Sequence, residues 1–180
     1  METKLDRFVI EQTTALQLLY REELVMPFLM LLYVTVDVLG FVVAKDEDTP
    51  PGARFRSFVN RYMLKHLREV NAHDLWGARW ALLHTGTPQS DHSESGRARE
   101  ILYSWGAADS SIARQVVEKS PCPGKYVPVT VEELHASVIA AVCALATECS
   151  GDEAFNARCL NRSSRFYSDV RAEPEGTDSG

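Results

Sequence analysis

Apolar residues return at helical intervals along most of this chain. In residues 5–22, Leu5, Phe8, Val9, Leu16, Leu19 and Tyr20 lie among polar neighbours, which predicts a first amphipathic helix. The most apolar stretch, Leu24 to Ala44, follows with Asp37 as its only charged residue. It is about long enough to cross a bilayer. A central carboxylate, however, costs roughly 2.5–3.5 kcal/mol on insertion scales, and Pro27 and Gly40 interrupt the run. The central helix of a bundle, buried all round, accounts for the same pattern, so no stable membrane span is expected. A protein anchored through Leu24–Ala44 is the competing reading.

Residues 45–53, Lys-Asp-Glu-Asp-Thr-Pro-Pro-Gly-Ala, break the pattern with charge, proline and glycine. A third helix is predicted from about Phe55 to Val70, with Phe55, Phe58, Val59, Tyr62 and Leu67 inward. Arg61, Lys65 and Arg68 then follow i, i+4, i+7 spacing as a basic stripe. A fourth helix covers roughly 73–84, apolar through Leu75, Trp76, Trp80, Leu82 and Leu83, and is closed by Thr85-Gly86-Thr87-Pro88. Residues 86–97 read as loop. Glu100–Trp105 and Tyr126–Val129 read as two short paired strands, Pro128 marking the second as an edge.

Thr130-Val131-Glu132-Glu133 is a capping box opening a strong helix to about Cys149. A weaker helix over 152–168 follows, and from Arg171 the chain is acidic and poor in apolar residues. The pattern predicts an all-α fold: an up-and-down bundle of four to six helices with a short two-stranded insertion. It forms one domain over 1–170, with 171–180 a disordered tail.

Composition narrows the function classes. At 180 residues, 45% apolar and 24% charged, the chain can bury the core of one globular domain. Its first seven residues carry both charge signs and no apolar segment, unlike a secretory signal. The four cysteines show no Cys-x-x-Cys spacing, which favours reduced thiols in a cytoplasmic protein, Cys143 and Cys149 filling core positions. A net charge of −6 argues against indiscriminate coating of nucleic acid, so any RNA contact needs a local basic patch. Arg61, Lys65 and Arg68 are candidates for it, with Arg54 and Arg56 nearby; a solvated helix face is the plainer reading. There is no phosphate-cradling glycine loop and no zinc spacing, and neither cofactor nor metal is expected. Ser90, Asp91, His92 and Ser93 are too close in sequence to converge as a triad, and no nucleophile elbow accompanies them.

The chemistry-bearing residues are Arg79 and His84, set in Arg79-Trp-Ala-Leu-Leu-His84. A charged group in an apolar helix is costly unless paired, and Asp37, the lone acid of the second helix, is its natural partner. Asp74 and His73 stand just before the motif, with Asp74 as a helix-start cap or a supporting acid. Five residues at about 100° each carry His84 about 140° round the helix from Arg79, so convergence requires a frayed last turn or a symmetric partner. In a purely structural reading, Arg79 and Asp37 fix the bundle and His84 finishes a helix.

The Arg-x-x-x-x-His spacing resembles the signature of the HEPN superfamily. The runs from Leu75 to Thr85 and from Gly96 to Gly106 are similar to those of small bacterial proteins associated with it. That resemblance implies a four- or five-helix bundle, here 5–84 plus 131–149, with 86–130 outside the match. It implies a metal-independent endoribonuclease acting as a homodimer, with Arg79 and His84 of the two chains facing each other. It also implies a stress or defence role of the toxin type, with an antitoxin protein as a partner. In active members a polar residue often follows the arginine; here it is Trp80. A non-catalytic HEPN-like module binding nucleotide, RNA or protein is the alternative.

Overall fold

The computed structural model describes residues 2–84, 86–87, 93, 95–106 and 110–166. Helix α1 (Lys4–Arg21) opens with a capping box that the sequence reading passed over: the Thr3 hydroxyl accepts from Asp6 N, while Asp6 Oδ2 accepts from Thr3 N. It turns into α2 (Val25–Val43) through Glu23, whose φ of 55° is uncommon for a residue with a side chain.

Phe28, Leu32, Val36 and Leu39 of α2 are fully buried, yet Met26 and Val34 face out. The expectation of a helix buried all round is therefore corrected, because neighbours cover only one side. By length and composition α2 could still cross a membrane, as could the helix Val131–Gly151. At Gly40 a Cβ would come within 3.1 Å of the Arg54 carbonyl oxygen, so the glycine lets α3 (Pro51–Phe58) cross close by. That helix begins at a proline in its first turn, ahead of the expected Phe55.

The third helix does not run to Val70. At Val59–Met63 it widens into a π turn, then tightens into a 3₁₀ turn over Leu64–His66. Val59, Tyr62 and Met63 stay buried through the widening. The expected basic stripe is lost: Arg61 lies in the π turn, Lys65 in the 3₁₀ turn and Arg68 beyond both, so regular i, i+4, i+7 geometry no longer aligns them.

Helix α4 (Ala72–His84) follows, then β1 (Glu100–Ser104), α5 (Ser110–Glu118) and β2 (Tyr126–Thr130). The two strands pair in parallel, Glu100 opposite Tyr126 and Ser104 opposite Thr130. A parallel pair cannot be closed by a hairpin; it needs a crossover, and α5 lies on it with Ala113 and Val117 buried. The fold is thus mainly helical, with seven α-helices among the described residues and a small β-α-β unit rather than a bare insertion. The Tyr33 and Tyr103 hydroxyls, 2.6 Å apart in a partly buried contact, tie that unit to α2.

Thr130 ends β2 and caps α6 (Val131–Gly151), its hydroxyl accepting from Glu133 N at 3.0 Å as the capping box predicted. Helix α7 (Glu153–Ser163) starts at the Asp152 cap. Its buried Arg162 donates to the carbonyls of Phe41 at 2.8 Å and Lys45 at 3.3 Å, placing a cation at the negative end of α2. The cysteine expectation is corrected: Cys143 is exposed and Cys149 half-buried, while Cys159 on α7 is the buried one. The tail from Arg171 lies outside the described residues.

Candidate functional site

Asp37 lies on the outward side of α2 and Arg79 on α4, where the two helices pack together. Arg79 Nη2 donates to Asp37 Oδ2 at 2.7 Å, with side-chain exposures of 17% and 25%. The pair is sheltered but open to solvent, short of the burial its apolar surroundings suggested. It is joined by a single hydrogen bond rather than a fork. The guanidinium lies over the Trp76 ring, 5.2 Å from its centroid, and its buried Nε has no partner among the described residues.

His84, the last residue of α4, is exposed, and its Nε2 lies 3.4 Å from Arg79 Nη1. A guanidinium can only donate, so a hydrogen bond at this contact has His84 Nε2 as its acceptor. The Trp80 ring lies 4.6 Å from the imidazole centroid and fixes its plane from one turn back. The length of the arginine side chain closes the angular gap. Helix α4 ends at His84, and Gly86 beyond it adopts a φ of 65° and bonds back to the Ala81 carbonyl at 3.1 Å. Four residues therefore converge on one partly open surface: Asp37, Arg79, Trp80 and His84.

Asp74 is not part of that group. It stands about 15 Å from His84 along the helix axis. It is 1% exposed and bonded to Arg99, whose backbone N–H donates at 2.8 Å and whose Nη2 donates at 2.6 Å. Nor is it the cap: Asn71 Oδ1 accepts from Asp74 N at 3.1 Å, while Asp74 Oδ2 accepts from Asn71 N at 3.0 Å. Asp74 completes the capping box and anchors α4 to the start of β1.

The nucleic-acid candidates are dispersed. Arg61 forms an ion pair with Glu148 of α6, which also accepts from the Tyr62 hydroxyl at 2.7 Å. Lys65 and Arg68 are exposed on separate turns. Arg54 lies over the Phe41 ring at 5.1 Å. Among the described residues no group of three or more His, Cys, Asp or Glu is placed to hold a metal ion. Ser90, Asp91 and His92 lie outside the described residues.

Sequence reasoning overlooked the supporting role of Trp76, whose signal was its i, i+3 spacing to Arg79. It also missed Arg99, remote in sequence and carrying no local signal. Compared with family models, curated proteins and solved structures, the chain has no match.

Proposed function

We propose that this protein is a HEPN-like, metal-independent endoribonuclease, a reading carried by the approach of His84 to Arg79 within 3.4 Å on a partly open surface. Cleavage of this kind uses the RNA 2′-hydroxyl as nucleophile on the adjacent phosphorus, forming a 2′,3′-cyclic phosphate as the 5′-oxygen departs. It requires a base for the 2′ proton, an acid for the leaving oxygen and positive charge near the phosphorane. An imidazole presenting its lone pair suits the base. A guanidinium held by one bond keeps donors for phosphate oxygens. Asp37 and Trp76 restrain the arginine, and Trp80 restrains the histidine.

Each chain brings one His84, so a homodimer related by a two-fold axis would supply base and acid from two copies. A helical-bundle fold of the HEPN type, a cytoplasmic place and an antitoxin partner belong to the same reading. The test is cleavage of a labelled RNA in chelator, comparing the wild type with Arg79→Ala and His84→Ala. Cyclic-phosphate ends and loss of cleavage in folded variants are expected; equal cleavage by the double variant ends the nuclease reading.

One observation favours the second reading, a non-catalytic module that binds nucleotide or RNA. Asp37 already neutralises Arg79 at 2.7 Å, so an incoming phosphate must compete with it. RNA affinity without turnover would decide for that reading.

A further inference from the structure

A groove of about 520 Å³ separates the first half of α1 from the last half of α6, with the start of α7 beside it. Its volume falls in the range of small-molecule sites, roughly 300–1,000 Å³. The walls are apolar, with Val9 and Ile10 on one side and Val142 and Leu145 on the other. Helix α6 is uncharged from Leu134 to Thr147. Only 28% of its most apolar window is buried inside the fold, against 50% for α2.

Charge gives the groove its character. Among its lining residues Asp6 is the only charged one, and no lysine or arginine lines it. Asp6 spends one oxygen on the capping box: Thr3 N and Thr3 Oγ1 both donate to Oδ2, at 3.0 and 2.8 Å. Those two bonds also hold the carboxyl below its ordinary range, so it stays ionised. The neighbouring Lys4 is turned elsewhere, donating to the carbonyls of Ser164 and Phe166. Across the groove, Ala146, Cys149 and Ser150 bring in the C-terminal end of α6, the negative end of its dipole. That last turn holds no basic residue. The same end of α2 is met by Arg162. An ionised carboxylate and a helix end that carries no basic side chain thus face one apolar trough.

We infer that this groove binds a small amphipathic cation, an aliphatic chain ending in a protonated amine. The chain lies against Ile10, Val142 and Leu145, and the ammonium sits between Asp6 and the end of α6. This site is separate from the Asp37–Arg79–His84 surface and does not depend on the nuclease reading.

The probe is dodecylamine below its micelle concentration, titrated calorimetrically into the full chain, with dodecanol and dodecanoate as neutral and anionic controls. One saturable site is expected, favouring amine over dodecanoate by about tenfold or more, the size of a charge-assisted contact. Asp6→Asn should remove most of that preference and leave dodecanol binding unchanged. Val142→Trp, which fills the trough, should abolish binding of both, with circular dichroism verifying the fold of each variant. No saturable binding, equal or tighter binding of dodecanoate, or an Asp6→Asn variant that keeps the preference would overturn the inference. So would light scattering showing a dimer that Val142→Trp dissociates, because the groove would then belong to a second copy.

Discussion

Asp37 and Arg79, 42 residues apart in sequence, meet at 2.7 Å and join α2 to α4 through one hydrogen bond. Two charges that would each weaken an apolar helix are compatible with the fold because they occur together. The same contact leaves the second terminal nitrogen of Arg79 facing His84, so one pair serves both packing and the candidate chemistry.

Removing either partner strands the other in a sheltered position. Asp37→Ala should cost about 1–3 kcal/mol, below the ~3–5 of a fully buried pair because both side chains keep some solvent contact. In urea unfolding, Asp37→Ala and Arg79→Ala together should cost less than their sum. Strict additivity would mean that the pair contributes nothing as a pair.

Asp74 is held more tightly, with Arg99 and Asn71 donating to both of its oxygens. Asp74→Ala should destabilise by about 1–3 kcal/mol, because the backbone N–H groups of Asn71 and Arg99 lose their acceptor while the Arg99 guanidinium, 35% exposed, keeps solvent contact. Any remaining folded protein should retain the proposed RNA cleavage, since Asp74 lies at the far end of α4. A stable Asp74→Ala protein that lacks the proposed cleavage would restore the acid to the candidate surface.

Trp80 is expected to act through His84. Trp80→Ala should lower cleavage about two- to tenfold, the worth of one ring contact of 0.5–1.5 kcal/mol, with RNA affinity unchanged. Filter binding beside rate measurement separates the two. A fall in affinity alone would make Trp80 a base-stacking platform.

His135 on α6 sits among Tyr20 and Phe28, its ring centroid 5.7 and 5.3 Å from theirs, and burial lowers its affinity for a proton below the ordinary 6.5. The folded state therefore binds fewer protons than the unfolded chain. This contribution to stability is complete above about pH 6.5 and is lost as pH falls from there through the depressed folded value. Thermal unfolding between pH 7.5 and 5 should show the loss, and His135→Phe should flatten it. An unchanged slope in that variant would assign the effect to other groups.

The thiols should react in an order set by exposure. Cys122 and Cys143 are open to solvent, whereas Cys159 is fully buried, a setting that pushes its thiol up to about 12. Alkylation of native protein should mark the first two and spare Cys159 until unfolding. Early labelling of Cys159 would mean that α7 opens readily.

Local features were legible in the sequence because their causes are local. The Thr130–Glu133 capping box, the stop near Gly86 and the long apolar helix of residues 25–43 all depend on residues a few positions apart. The convergence of Asp37 with Arg79 was legible for a different reason: an isolated charge in an apolar run must find a counter-charge. Tertiary packing decided the rest. It widened the third helix into a π turn, so that Val59, Tyr62 and Met63 stay buried while Arg61 reaches Glu148, and the basic stripe came apart. It gave Asp74 to Arg99 and the end of α2 to Arg162, partners 25 and 121 residues away. Sequence order constrains neighbours through the backbone, whereas a buried polar atom takes whichever distant group the packed chain brings within reach.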